Sequence, residues 1–362
     1  MKFKRLPALL IPLCVSLLFP SCETPKLPAT GGDDEIIVFA DSTTWAALER
    51  TLRTVFEDTV HTPIPERWFT LRRVDFSEFG QYEKQKNRII VAPLHGEGAV
   101  GEYVRSSLDP KVRTLVEEGK EFFFTKFDSH ARNQLLMFLT STDFSALNAS
   151  MEIHAADLLY YFQNMVMKRE AAALMDERRY HKKDIEKRLE ERYHWTMTIQ
   201  HDYYIAIDSA ESRFFWIRRA TPADMERWIF VHWVEAPDPA ILTDRFVLGL
   251  RDSLTREFLQ TVDNNAYVQI APYYLTIEKV NFLDRFAYET RGNWRFSDKS
   301  GGGPFINYTL YDEGTKRIYM LDASIFAPRV EKKKLLWQVD ALLRTFRTTP
   351  PGAGQDSLSA GS

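Results

Sequence analysis

Hydrophobic positions along this chain fall into two patterns, short unbroken runs and stripes at helical spacing. The run Ile36-Ile37-Val38-Phe39-Ala40 is apolar at every position and meets a helix start at Asp41-Ser42, after which Trp45, Leu48, Leu52 and Val55 recur every three or four residues. A run without polar alternation predicts a strand covered on both faces, and the stripe predicts an amphipathic helix packed on it. Trp68 to Val74 and Arg88 to Ala92 predict two more strands, and the β-α-β rhythm makes part of the sheet parallel. Glu121 to Phe127 and Gln134 to Thr140 predict an antiparallel pair about the polar turn Asp128 to Asn133. From about Glu152 to Arg192 the spacing predicts almost unbroken helix, with Leu158, Phe162, Met165 and Val166 on one side. Its charged end, from Asp176, places Lys182 and Glu186, Asp184 and Arg188, and Lys187 and Glu191 four apart, where opposite charges support a solvated helix.

Strands follow at His194 to Asp208, Arg213 to Arg219 and Met225 to Glu235, then a helix capped by Asp238-Pro239 with Val247, Leu250, Leu254 and Phe258 as its buried stripe. Tyr273 to Phe282, Arg285 to Phe296, Phe305 to Asp312 and Thr315 to Phe326 predict a four-stranded meander, and Leu335, Val339, Leu342 and Phe346 mark a closing helix. The segment Arg285 to Phe296 alternates most regularly, with aromatic residues mostly at even and charged residues mostly at odd positions, which predicts one buried face and one polar face carrying Glu289, Arg291 and Asn293. It empties into Ser297-Asp298-Lys299-Ser300-Gly301-Gly302-Gly303-Pro304, where the glycines predict a turn with positive φ. The fold class is α+β: a mixed sheet over 35–192, a mainly antiparallel meander over 193–348, and long amphipathic helices packed on both. The similar make-up of the halves would fit an old duplication, although no residues align across them.

The ends of the chain change the picture. Lys2, Lys4 and Arg5 precede the apolar run Leu6 to Phe19, too short to span a bilayer, which closes at Pro20-Ser21-Cys22. Residues 1–21 therefore read as a lipoprotein signal peptide, and Cys22 as the acylated first residue of the mature protein. Only Cys14 and Cys22 are present, so once the signal leaves, acylation disposes of a thiol that would otherwise be unpaired outside the cytosol. Several acyl chains, at about 0.8 kcal/mol per buried methylene, would hold the protein on a membrane without a transmembrane helix. Residues 22–34, rich in Pro, Gly and Thr, read as a flexible tether, and 349–362 as a disordered tail. The formal charge is −3, more negative after the basic signal is removed, which argues against nucleic acid as a partner. Localisation is then the cell envelope, with the lipid in the outer membrane and the body facing the periplasm or the surface.

Arg291-Gly292-Asn293-Trp294, Gly302-Gly303-Pro304-Phe305 and Phe326-Ala327-Pro328, with Arg251-Asp252, Phe215-Trp216-Ile217-Arg218 and the lipobox, resemble an uncharacterised family of Bacteroidota-type envelope lipoproteins catalogued as a domain of unknown function. The likeness covers nearly the whole chain and implies an envelope lipoprotein with no assigned activity.

Candidate chemistry is sparse. Gly96-Glu97-Gly98-Ala99-Val100-Gly101 has the glycine spacing of a dinucleotide loop, but three residues separate it from the preceding strand, Pro110 interrupts the following helix, and Asp128 comes too late to meet a ribose, so no cofactor is expected. The histidines assemble no H-E-x-x-H metal site; His194 and His201, seven apart in a strand, would face opposite sides. There is no G-x-S-x-G, and no cysteine in the mature body for a Cys–His pair. Glu289, Asp298 and Asp312 could converge for glycan hydrolysis, which makes an envelope hydrolase the alternative to the leading reading. That leading reading is a non-catalytic, lipid-anchored envelope protein binding a ligand or partner, either an envelope protein or a glycan. Its candidate site is Arg291, Trp294, Asp298 and the backbone amides of Gly301, Gly302 and Gly303, bordering a small anion or a docked partner.

Overall fold

The computed structural model describes residues 26–175, 181–220, 225–236 and 238–349, which form two large sheets, each covered by helices on both faces, and two short two-stranded pairs. The first half runs β1 (Glu35–Phe39), α1 (Ser42–Phe56), β2 (Thr70–Val74), β3 (Asn87–Val91), α2 (Ala99–Ser107), α3 (Pro110–Glu117), β4 (Phe123–Phe127), β5 (Leu135–Leu139), α4 (Phe144–Ile153) and α5 (Ala155–Leu174). Its sheet has the order β2-β1-β3-β5-β4, parallel except for β4, which pairs antiparallel with β5. Ile36 and Val38 pack with residues of α1, α4 and α5, whereas Ile37 and Phe39 pack with residues of α2 and α3. Both faces of β1 are thus buried, which is why its run is apolar at every position.

The second half runs α6 (Lys183–Tyr193), β6 (Tyr204–Ser209), β7 (Phe214–Arg219), β8 (Glu226–Glu235), α7 (Asp244–Phe258), β9 (Val268–Ile270), β10 (Thr276–Phe282), β11 (Arg285–Phe296), β12 (Gly302–Asp312), β13 (Arg317–Phe326) and α8 (Lys333–Leu343). Its antiparallel sheet is ordered β9-β11-β12-β13-β8-β7-β6, with β10 beside β9 on the same edge of β11. Strands β10 to β13 are the meander, and the class is α+β with a mixed first sheet. Val247 and Leu254 of α7 cover one face, and Leu335, Leu336 and Val339 of α8, with Leu189 of α6, cover the other.

Helix α8 joins the halves. Its Trp337 sits in the core of the first half, with its ring 6.3 Å from Trp68 and 6.2 Å from Phe69. The Glu66 carboxylate accepts from the backbone N–H of Lys332 at 2.7 Å and of Lys333 at 3.0 Å, so an acid of the first half satisfies the free amides at the start of a helix of the second.

Several expectations give way to tertiary structure. The helix expected over Glu152 to Arg192 is broken: α4 ends at Ile153, His154 lies between it and α5, and α6 begins at Lys183. His194 to Asp208 is strand only at Trp195–Thr196 and in β6, with His194 in the left-handed conformation that ends α6. A single 3-10 turn, Pro239–Ile241, follows Asp238; Thr243 caps α7, accepting from the amide of Phe246. From Ala29 the supposed tether is stitched down, since Ala29 donates to Arg132 O, Thr30 to Lys84 O, and Thr30 O accepts from Lys86. The two sheets differ in strand direction and order, which removes the basis for a duplication.

The largest departures concern β11 and the glycines. The odd positions of β11 face α8 rather than water, and Asn293 is fully buried. None of Gly301, Gly302 and Gly303 has positive φ; in that turn it is Lys299, at φ 65°, that does. Gly302 and Gly303 already belong to β12 and are bare because other groups come too close. A Cβ on Gly302 would lie 2.5 Å from Trp294 O, and one on Gly303 would lie 1.8 Å from Ile325 O. The Trp294 indole, directly across the ladder from Gly303, donates to that same Ile325 carbonyl at 3.2 Å.

Candidate functional site

Arg291 is the centre of an ionic cluster on the α8 face of the second sheet. Its Nε lies 2.5 Å from Glu289 Oε1, on the same face of β11, and its Nη2 lies 3.3 Å from Asp340 Oδ2 of α8. One helical turn on, Arg344 Nε lies 2.9 Å from Asp340 Oδ1. Tyr308 of β12 completes the group, its hydroxyl donating to Asp340 Oδ1 at 3.0 Å and accepting from Arg344 Nη2 at 2.8 Å. Burial by itself would raise the Glu289 carboxyl, but Arg291 outweighs it and holds the group below the usual carboxylate range. Burial, then Asp340 and Glu289, pushes the Tyr308 phenol well above its ordinary value. Two carboxylates and two guanidinium groups thus neutralise one another, with a protonated phenol between them.

The cluster forms one wall of a hollow of about 510 Å³ between the halves. Gln163, Asn164 and Lys168 of α5 form the opposite wall, and Trp68, Trp337 and Tyr160 supply aromatic faces. This hollow shares Tyr160 and Asn164 with a second one of about 310 Å³, which Phe123, Phe127 and Tyr161 also line. It shares Trp68 and Arg291 with a third of about 150 Å³, where the rings of His61 and Tyr274 stack at 4.6 Å. The three hollows thus adjoin one another through shared side chains, and we refer to them together as the groove: aromatic residues line each, and the ionic cluster lines the middle one.

Of the residues expected to form a site, only Arg291 lines this groove. Trp294 is on the opposite face of β11, buried against Trp228 and Phe326 beneath α7. Asp298 closes an exposed turn, accepting from the Ser300 amide at 2.9 Å, and that bond holds its carboxyl below the ordinary value. Gly302 and Gly303 lie in the β12 ladder, and Gly301 O accepts from the Phe296 amide. These groups do not converge with Arg291 on one anion site. Cys22 lies outside the described residues. Of the acids considered for hydrolysis, Glu289 is in the cluster, while Asp312 pairs with Arg285 at 3.0 Å at the other end of the strands. The residues that sequence reasoning missed are Trp68, Tyr160, Trp337, Asp340 and Arg344. The one available signal was Asp340 and Arg344, four apart on an otherwise apolar stripe of α8.

The G-x-G-x-x-G segment folds tightly on itself at the start of α2. Gly98 has φ 98°, and a Cβ on Gly101 would lie 2.3 Å from Gly96 O. The Asp41 carboxylate reaches this loop, 2.9 Å from where a Gly98 Cβ would stand. Burial, reinforced by Asp75, raises its pKa. An acid of the chain itself stands where a phosphate would approach the α2 amides. Among the described residues, no group of three or more His, Cys, Asp or Glu could hold a metal ion, and no helix is long and apolar enough to cross a membrane.

The fold therefore defines a two-unit α+β protein with an aromatic groove at the junction. Residues 182–345 match the family model of a domain of unknown function (DUF4837), and residues 29–175 match that of a second domain of unknown function (DUF8532). Each half thus resembles a domain of unknown function, so the likeness expected from the sequence holds for both halves. No curated protein matches it. Among solved structures it is similar to cyanobacterial PsbP (CyanoP) from Synechocystis sp. PCC 6803, at 12% identity and a TM-score of 0.29 over 43% of this chain and 86% of that one. It is similar to LpqN of Mycobacterium tuberculosis, described as involved in cell envelope biogenesis, at 12% identity and a TM-score of 0.29 over 43% and 83%. A protein from Bacteroides thetaiotaomicron VPI-5482 is similar at 11% identity and a TM-score of 0.25 over 44% and 46%. Likeness at this level carries no argument about what this chain does.

Proposed function

We propose that this chain is a lipid-anchored envelope protein, acylated at Cys22, that binds an extended glycan strand in the groove between its halves without cleaving it. The observation that supports this is the composition of the groove: Trp68, Trp337 and Tyr160 offer flat apolar faces, Gln163 and Asn164 offer amides, and the charges at its middle are already paired with one another. An anionic ligand would have to compete with Glu289 and Asp340 for their arginines, and among the described residues the one other cation of the lining, Lys168, shares the hollow with a further carboxylate, Glu278. A neutral, hydroxyl-rich chain with apolar ring faces stacks on the aromatics and hydrogen-bonds to the amides and carboxylates without breaking a pair. The alternative, a carboxylate glycan hydrolase, calls for one carboxyl that stays protonated. In the groove, Glu289 is instead held below its usual range, and Asp41, whose pKa burial raises, stands against the G-x-G-x-x-G loop rather than in the groove.

Titration with soluble, uncharged N-acetylglucosamine oligosaccharides, followed by tryptophan fluorescence, tests the groove. Saturable binding that weakens at least tenfold in Trp68→Ala and in Tyr160→Ala, with no shortening of the oligosaccharides, is expected; a wild-type protein that does not bind, or that cleaves them, refutes the reading. The anchor is tested by the intact mass of membrane-extracted protein, which should show a mature chain beginning at Cys22 with acyl chains added. A Cys22→Ser protein that still partitions with membranes would count against it.

A further inference from the structure

Arg88, the second residue of β3, is fully buried on the face of the first sheet that α2 and α3 cover, and none of the ion pairs among the described residues involves it. Its Nη2 lies 3.1 Å from Gln134 Oε1 and 3.1 Å from His130 Nδ1, and its guanidinium carbon lies 5.5 Å from the centre of the Phe79 ring. Nε and Nη1 are buried with no hydrogen-bond partner. Removing an ion from water without a counter-charge costs several kcal/mol, and each orphaned donor adds to that. Burial accordingly pushes the Arg88 pKa down to about 10, with Tyr103 and Glu83 opposing it only in part.

The surroundings add donors and positive charge. Ser129 Oγ, in the loop before β5, is likewise buried without a partner. Next to it, His130 is held toward its neutral form first by burial and then by Arg88, with Lys26 and Lys126 acting in the same direction and Glu83 alone opposing them. The chain enters the fold directly over this loop: Lys26 Nζ donates to Asp128 O at 2.7 Å, and Arg132 exchanges backbone hydrogen bonds with Leu27 and Ala29.

We propose that Arg88, Ser129 and His130 form a binding site for an oxyanion of the phosphate type. Such an ion takes hydrogen bonds from Arg88 Nε or Nη1 and from Ser129 Oγ and supplies a directly bonded counter-charge, where Glu83 acts only from beyond ion-pair distance, while a neutral His130 keeps its Nδ1 as acceptor for Arg88 Nη2. The loop from Asp128 to Asn133 carries both Ser129 and His130, and His130 contacts Arg88, so on this proposal the ion enters from the side of that loop. The phosphate can come from solution or from a phospholipid headgroup. The second source rests on the proposed anchor, since Cys22 precedes Lys26 by four residues.

The test uses the mature chain with Cys22→Ser, so that no acyl group contributes to membrane binding. Thermal unfolding is followed in sodium phosphate and in sodium chloride of equal ionic strength, and sedimentation with phosphatidylglycerol vesicles is measured in chloride. A saturable rise in Tm with phosphate, absent in Arg88→Met and at least tenfold weaker in Ser129→Ala, supports the site with free phosphate as ligand. Arg88-dependent sedimentation with phosphate silent supports it with the headgroup as ligand. Arg88→Met should remain folded, because an apolar side chain of similar length in place of an uncompensated buried ion is often neutral or stabilising. No response to either probe, or an equal response of wild type and Arg88→Met, overturns the proposal.

Discussion

Gly303→Ala tests why three glycines follow β11. A methyl group at residue 303 would lie 1.8 Å from Ile325 O and 3.2 Å from Trp294 Nε1. Carbon and oxygen approach no closer than about 3.3 Å even in favourable C–H contacts, so β12 and β13 would have to separate locally by about 1.5 Å. A ladder with strands about 4.8 Å apart does not give that much without breaking pairs. The Trp294 indole would also lose its bond to Ile325 O, worth about 1 kcal/mol, and strain its packing on Trp228 and Phe326. Overpacking of a rigid site costs about 1–3 kcal/mol, so the whole effect should be about 3 kcal/mol or more. Gly301→Ala meets only the side chains of Phe326 and Phe296, at 3.1 and 3.4 Å, and should cost less than about 1 kcal/mol because rings can shift. Gly302→Ala, at 2.5 Å from a backbone carbonyl, should fall between them. Urea unfolding followed by far-UV circular dichroism ranks the three. A Gly303→Ala protein within about 0.5 kcal/mol of wild type, or one more stable than Gly301→Ala, would refute the close-approach argument, since ordinary surface changes have effects of that size.

Two further outcomes follow from buried charge. Arg251 of α7 pairs with Asp322 of β13 at 2.7 Å, both fully buried, and lies 3.5 Å above the Phe305 ring. Arg251→Met strands the Asp322 carboxylate and should cost about 3–5 kcal/mol in denaturant unfolding, whereas the double variant Arg251→Met, Asp322→Asn should cost clearly less; an equal loss would contradict the pairing. His232 of β8 is pushed down to about 4 by burial, so its folded pKa lies below its unfolded one. Its contribution is complete above about pH 6.5 and is lost as the pH falls toward 4, by up to about 3 kcal/mol. Stability measured from pH 7 to 4 should therefore fall less steeply in His232→Asn, and unchanged slopes would exclude His232 as the cause.

The unbroken apolar run at β1, the stripe of α1 and the alternation through the meander were enough for the sequence to determine the class of fold and most of its strands, because a strand or helix with a fixed buried side carries that side in its spacing. The proposed acylation at Cys22 likewise rests on a local pattern, the basic residues and apolar run that close at Ser21-Cys22. Spacing fails where two elements far apart in sequence cover one another. The charged odd positions of β11 resemble a solvated face, yet α8 lies over them, and Glu289 and Arg291 are answered by Asp340 and Arg344 roughly fifty residues on. The three glycines look like a turn, but what requires them is the indole of Trp294 and the carbonyl of Ile325 arriving from neighbouring strands. The groove itself depends on α5 of one half meeting α8 and β11 of the other, and on Trp68 standing between them. Its residues are scattered from Trp68 to Arg344, and only the packing of the two halves brings them together.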